Sequence, residues 1–136
     1  MLKTIKVPYK KVQNYVLIKQ VDYDMRRKYK KVTYAYEEYN GQELLKTYTH
    51  RVGKPAVIIY RNNHINEVQY WKFGKLHRLY GPAILIYDGS EISTEKWYHE
   101  GIKLTDQEIA DEKKIIDRRR KLITVIIRMK NKTAKN

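Results

Sequence analysis

Histidine is the side chain here best suited to acid–base or metal chemistry, and it occurs four times, at His50, His64, His77 and His99. His50 and His77 are each followed by arginine and stand 27 residues apart, while His64 and His99 have no ligand spacing to each other. The chain has no cysteine, so thiolates can supply neither a zinc site nor a nucleophile. A ring hydrogen-bonded to neighbouring backbone is the simpler role for the repeated His-Arg pair. Ser90 and Ser93 are the only serines, and neither sits in a Gly-x-Ser-x-Gly elbow. Adjacent Glu37 and Glu38 would point to opposite faces of a strand rather than at one bond. Gly53-Lys54 and Gly74-Lys75 are followed by Pro and Leu, without the glycine spacing or hydroxyl of a phosphate loop. The expectation is a protein without catalytic residues, metal or cofactor.

Cations are the other candidates for chemistry. Lys and Arg number 29 against 15 acidic residues, a formal charge of +14, and such a surface calls for a polyanion. Arg26, Arg27, Lys28, Lys30 and Lys31 form one cluster around Tyr29; Lys113, Lys114, Arg118, Arg120 and Lys121 form a second. Either suits a phosphate backbone, read through charge and shape with little base specificity, since no base-reading motif accompanies them. A solvated face is the competing role, and Asp111, Glu112 and Asp117 partly neutralise the second cluster. Thirteen tyrosines against one phenylalanine suit half-buried strands, where the ring packs and the hydroxyl reaches water.

These residues are positioned by a repeat. His50-Arg51-Val52-Gly53-Lys54-Pro55-Ala56-Val57-Ile58-Ile59-Tyr60 returns as His77-Arg78-Leu79-Tyr80-Gly81-Pro82-Ala83-Ile84-Leu85-Ile86-Tyr87. Tyr70-Trp71 with Gly74 returns as Trp97-Tyr98 with Gly101, again 27 residues on. Each copy reads as a β-hairpin: a strand over Ala56 to Tyr60 or Ala83 to Tyr87, a turn at Asn62-Asn63 or Asp88-Gly89, and a return around Val68 to Phe73 or Glu95 to His99. Repeated hairpins are expected to pair edge to edge, because a lone one is marginal in water.

The pattern His-Arg-x-x-Gly-Pro-Ala-x-x-x-Tyr, an Asp-Gly turn, then Glu-x-Trp-Tyr-x-x-Gly, resembles the MORN-variant repeats of giant DNA viruses. The Leu-Thr-Asp-x-Glu-Ile start of a basic helix after Gly101 resembles the way such chains end. His77 to Gly101 matches well; the first copy departs at Lys54, Val68 and Tyr70-Trp71. The resemblance covers residues 50 to 130 and implies hairpin repeats used for binding or scaffolding, with no catalytic residues, and a viral structural or virion-associated setting. Tyr70, Trp71, Trp97 and Tyr98 are then the candidate interaction aromatics.

Elsewhere the sequence predicts a strand from Leu2 ending at Pro8, a strand over Lys11 to Val21, and a charged turn or short helical link over 22–28. An alternating stretch around Val32 to Tyr36 follows, and an Asn40-Gly41 type I′ hairpin into Glu43 to Tyr48, readable as a degenerate extra repeat. Thr105-Asp106-Gln107-Glu108 has the form of a capping box, opening a helix whose Ile109, Ile116, Ile123 and Ile127, with Ile115, Leu122 and Ile126 beside them, make an apolar stripe able to lie on the sheet. Leu122 to Ile127 is rich in β-branched residues and leaves a strand open there. The expected whole is mainly β. An antiparallel meander of six to eight strands fills 1–104, with repeats at 50–76 and 77–104, a basic amphipathic helix at 105–130 and a polar tail at 131–136.

No apolar segment follows the first basic residues, and none approaches the roughly 18 apolar residues of a membrane span. The expectation is a soluble intracellular protein, in host cytoplasm or a virion if the resemblance extends that far. A protein partner or assembly is the first expectation, DNA or RNA the alternative, and an anionic membrane surface the less favoured.

Overall fold

The computed structural model describes residues 2–134. Its main sheet has eight antiparallel strands. β1 (Lys3–Val12) pairs with β2 (Tyr15–Asp24), and β2 with the long β3 (Tyr29–Asn40). The far edge of β3 is shared: Ala35 to Asn40 pair with β4 (Glu43–Thr49), and Tyr29 to Thr33 pair with β5 (Val57–Arg61). β6 (His64–Gln69), β9 (Ile84–Asp88) and β10 (Glu91–Lys96) complete the path. Two small hairpins, β7 (Trp71–Lys72) with β8 (Lys75–Leu76) and β11 (Tyr98–His99) with β12 (Ile102–Lys103), follow the long hairpins of the two repeats. The chain closes on α1 (Asp106–Ala134). The meander of hairpins and the C-terminal helix are thus as expected, and the tight turns explain the connectivity.

Those turns differ in an instructive way. Asn62 (φ 51°) and Asn63 (φ 64°) both occupy the left-handed region, closed by the Arg61–His64 pair, as a type I′ turn requires. The Asn40-Gly41 and Asp88-Gly89 signals do not place both residues in that role. Asn40 and Asp88 instead close the loops by pairing with Glu43 and Glu91, and only the glycines carry positive φ. The expected type I′ turn at Asn40-Gly41 is therefore replaced by a loop over Gly41-Gln42.

Several predicted boundaries move. Pro8 does not end its strand; β1 runs through it with a register shift between Pro8 and Lys10, which an edge strand tolerates because no ladder bond needs the missing N–H. The single strand expected over Lys11 to Val21 is broken at Gln13-Asn14, and its halves pair with each other. The link expected over 22–28 shrinks to Met25 to Lys28, because the Asp24 carboxylate accepts the N–H groups of Arg26 (3.0 Å) and Arg27 (3.3 Å) and turns the chain there. The return strands expected at 68–73 and 95–99 start earlier, at His64 and Glu91, since two-residue loops let pairing resume at once.

The apolar core is thin. Ile18, Val32, Ala35, Val57, Val68 and Leu85 are buried within the sheet, Ala56 and Ala83 at the strand starts, and Trp97 and Leu104 where the last small hairpin meets the helix. Alternation assigns Val32, Ile58, Val68 and Leu85 to one face and Ile18, Ala35 and Val57 to the other, so the core is split across a single layer.

The helix begins on the expected cap: Thr105 N–H donates to the Glu108 carboxylate at 3.0 Å, and Glu108 N–H to the Thr105 hydroxyl at 3.2 Å. It is helical straight through Leu122 to Ile127, excluding the strand left open there, and takes in 131–134 of the expected tail. Lys135 and Asn136 lie outside the described residues. The expected apolar stripe lies against the fold only near its start. Ile109 and Ile116 are half-buried, whereas every residue from Lys121 to Ala134 is exposed, including Leu122, Ile123, Ile126 and Ile127. At 1.5 Å per residue a helix of 29 residues is about 43 Å long, and only its first few turns find a surface to cover. No helix among the described residues is long and apolar enough to cross a membrane.

Candidate interaction surfaces

The repeat is held by bonds that recur unit by unit. His50 N–H donates to the Tyr34 carbonyl at 3.1 Å, His77 N–H to Tyr70 at 3.0 Å and Leu104 N–H to Trp97 at 3.0 Å. Behind the first two lies an arginine clamped in the same way. The Arg51 guanidinium sits 3.7 Å from the Tyr34 ring centre and donates to the Pro55 carbonyl at 3.2 Å; Arg78 sits 4.0 Å from Tyr70 and donates to Pro82 at 3.2 Å. Residues 34 to 49 therefore engage the first copy as the first copy engages the second. In the third unit Thr105 stands where the arginine would be, and the helix supplies Lys113, 5.9 Å from the Trp97 ring.

His50 and His77 serve this joinery. The His50 Nδ1 accepts the Phe73 N–H at 3.0 Å and the His77 Nδ1 accepts the Glu100 N–H at 2.9 Å. Phe73 (φ 45°) and Glu100 (φ 49°) are left-handed non-glycine residues, a costly conformation fixed by these bonds. An accepting Nδ1 leaves the proton on Nε2, so both rings are neutral in this arrangement. Burial lowers the pKa of His50, with nearby Lys72 adding to the effect, and burial likewise lowers that of His77 against the opposing pull of Glu100. The Glu100 carboxylate, 3.8 Å from the His77 Nδ1, is paired instead with Lys72 at 3.2 Å.

Both histidines, both arginines, Tyr70 and Trp71 line one open groove of about 470 Å³. Its polar groups already have work: the Trp71 indole donates to Gln69 at 2.8 Å, and the arginines are clamped as described. The candidate aromatics are accordingly structural in placement. Trp97 is only 5% exposed, Tyr70 lies under Arg78, and Trp71 and Tyr98 are half-buried in the small hairpins. No group of His, Asp or Glu among the described residues is arranged to hold a metal ion.

The cationic clusters are not brought together. Arg26, Arg27 and Lys28 sit exposed on the β2–β3 turn, lashed to the next turn by Asn62 N–H donating to the Lys28 carbonyl at 2.9 Å. Lys30 and Lys31 follow on opposite faces of β3: the Lys30 ammonium stands 4.4 Å from the Tyr60 ring, while Lys31 is half-buried opposite Ile59. The register places this turn at the same end of the strands as the Asn62-Asn63 and Gly89-Ser90 loops, whereas the helix starts at the other end, beyond β12. On the helix, Lys113, Lys114, Arg118, Arg120 and Lys121 are exposed, with Lys121 paired to Asp117 at 3.1 Å.

Glu112 is a site residue the sequence did not single out. It is the one buried residue of the helix, and its carboxylate accepts the Tyr80 N–H at 2.7 Å and contacts the His99 Nε2 at 3.0 Å. Tyr80 is itself left-handed (φ 63°), and Arg119 stacks 4.1 Å from its ring. A lone acidic residue amid a helical stripe, at a position that Ile109 and Ile116 flank, is the signal that could have marked it.

No family model matches the sequence, and neither a curated protein nor a solved structure matches it significantly.

Proposed function

We propose that the protein is a non-enzymatic interaction module, a hairpin-repeat scaffold that binds another protein or an assembly through surfaces its own fold leaves open. The observation that carries this reading is the accessible surface, 10388 Å² for a chain of 16.4 kDa. A compact monomer of that mass exposes roughly 7500 Å². The excess comes from a single-layer sheet with no second layer over it and from a helix bare over its distal half. Large exposed aliphatics include Leu2 just before β1, Ile5 and Val7 on β1, Leu44 and Leu45 on β4, and six residues of α1 between Leu122 and Met129. The resemblance of the repeats points the same way, toward a component of an assembly such as a virion.

Nucleic-acid binding through phosphates is the second reading, favoured by the exposed Arg26 to Lys28 turn and by the exposed cations of the helix. It fits the geometry less well, because a duplex grip gathers cations on one face, whereas the Arg26 to Lys28 turn joins β2 to β3 and the helix cations lie beside β9 and β10, with β5 and β6 between them. Binding of the full chain to random duplex DNA and to single-stranded RNA across a salt series decides between them. The scaffold reading expects no binding of either near physiological salt. A log-linear fall of affinity with salt, its slope reduced when Arg118 and Lys121 are changed to glutamine, sinks it in favour of phosphate binding.

A further inference from the structure

The distal half of α1 is chemically unlike the rest of the surface. Six of the eight residues from Leu122 to Met129 are large aliphatics, 43% to 64% exposed. At 100° per residue Val125, Met129, Leu122, Ile126, Ile123 and Ile127 spread over about 200° of the helix circumference. Seven cations and no acid stand from Arg118 to Ala134: four precede this apolar girdle, two follow it, and Arg128 lies within it on the side the aliphatics leave free. Thr124, the one polar residue without charge inside it, turns its hydroxyl back to the Arg120 carbonyl at 2.9 Å.

From this we infer that the distal half of α1 is a preformed docking helix for an acidic protein that encloses it in an apolar groove rimmed by carboxylates. The inference deepens the interaction-module reading and rests on it. Three arguments select this occupant. A second copy of the same helix would set seven cations against seven, and an apolar stretch of two turns is too short a seam to offset that repulsion. A lipid surface covers one side of a helix lying in its plane, so a 200° girdle leaves aliphatics in water, and the helix has none of the Trp or Phe that anchor interfacial helices. Nucleic acid offers phosphates to the cations but nothing to the girdle between them. A groove that wraps the helix meets both demands: Leu122, Ile126 and Met129 fall at i, i+4 and i+7 as groove anchors, and the end cations meet the acidic rim.

The docking helix is held ready by its root. The capping box at Thr105 and the Glu112 latch fix the first turns, so the distal turns propagate from a formed nucleus, where an isolated segment of that length would be marginal in water. Binding therefore costs less ordering than it would for a disordered tail.

The test uses the full chain with calcium-loaded calmodulin as a probe of the stated chemistry, acidic with an apolar groove, followed by calorimetry. Expected is saturable one-to-one binding, weakened about tenfold or more by Ile126→Asp, with the sheet and the helix content unchanged by circular dichroism. Because Ile126 is solvent-exposed, this variant folds; Leu122→Asp repeats the measurement at a second anchor. Absence of binding, or equal binding by both variants, overturns the proposal. So does association with phosphatidylcholine–phosphatidylserine vesicles in place of the probe, or self-association abolished by Ile126→Asp. Salt-steep DNA binding that depends on Arg118 and Lys121 but ignores Ile126 is the separate result that removes the scaffold reading itself.

Discussion

Acid is the condition that most directly tests the residue-level joinery. His50 and His77 each use Nδ1 as an acceptor, and protonation of that atom deletes the bond to Phe73 or Glu100. Their pKa values are lowered in the folded chain, so the unfolded chain binds protons first as pH falls. Their contribution is then fully present above the ordinary histidine pKa of about 6.5 and is lost as pH drops through it toward the depressed folded values. Thermal melts should fall between about pH 7.5 and 5.5, and the double variant His50→Gln/His77→Gln should start lower but slope less. An unchanged slope would mean the rings are not titrating from this bonded state. The position of these histidines was legible as a repeat; that each ring reaches the next unit's turn was not, because the contact joins residues 23 apart through a left-handed backbone that Phe73 and Glu100 do not advertise.

The same scale explains why the two copies disagree at Lys54. Gly53 (φ 72°) and Tyr80 (φ 63°) hold the equivalent left-handed position, so in the first copy the glycine serves the backbone. Gly81 serves a different need: a Cβ there would come 2.7 Å from the Arg78 guanidinium carbon. Gly81→Ala should make the end of the flexible Arg78 side chain shift, loosening its stacking on Tyr70 and its bond to Pro82 at a cost of at most about 1 kcal/mol in a denaturant titration. Lys54→Gly, at the matching place, should leave the Arg51 clamp in place and change stability little by comparison. Equal losses at the two sites would show that the clamp and the Gly81 contact are unrelated.

At the scale of elements the helix is docked by chemistry more than by burial. Its amphipathic stripe was readable, yet the direction of that stripe misled, since periodicity reports which residues share a face and not whether a surface lies opposite. Glu112 is where the docking is concentrated. Glu112→Ala leaves the Tyr80 N–H without its acceptor in a partly buried site, a loss of about 1 kcal/mol, and should free the helix root. Hydrogen exchange should then rise across Asp106 to Arg120 while β3, β5, β6 and β9 keep their protection. Glu112→Gln, which preserves an acceptor, should restore most of it. If the alanine variant exchanges like the parent, Ile109, Ile116 and the Arg119–Tyr80 stack hold the helix without the latch.

At the scale of the whole molecule the sheet is wide and thin, and this follows from the sequence in a way that only pairing could reveal. Both faces of the central strands carry aliphatics or tyrosine, as Val32 and Ile58 on one face and Ile59 and Ile86 on the other illustrate, so neither reads as the polar outside of a sandwich. The pattern announced strands and hairpins but could not announce that no second layer arrives. A compact chain of 136 residues has a radius of gyration of about 14 Å. With an accessible surface far above the compact value, and a helix reaching past the edge of its support, solution scattering from the monomer should give a distinctly larger value. Hydrogen exchange should grade accordingly, slow at Val32, Val57, Val68 and Leu85 and fast along β1, whose residues are exposed throughout, and along the distal helix. A bound partner that protects β1 or the distal helix identifies which open surface it uses. A compact radius with uniform protection would mean that the exposed aliphatics fold back onto the sheet in solution, leaving no open surface for a partner to occupy.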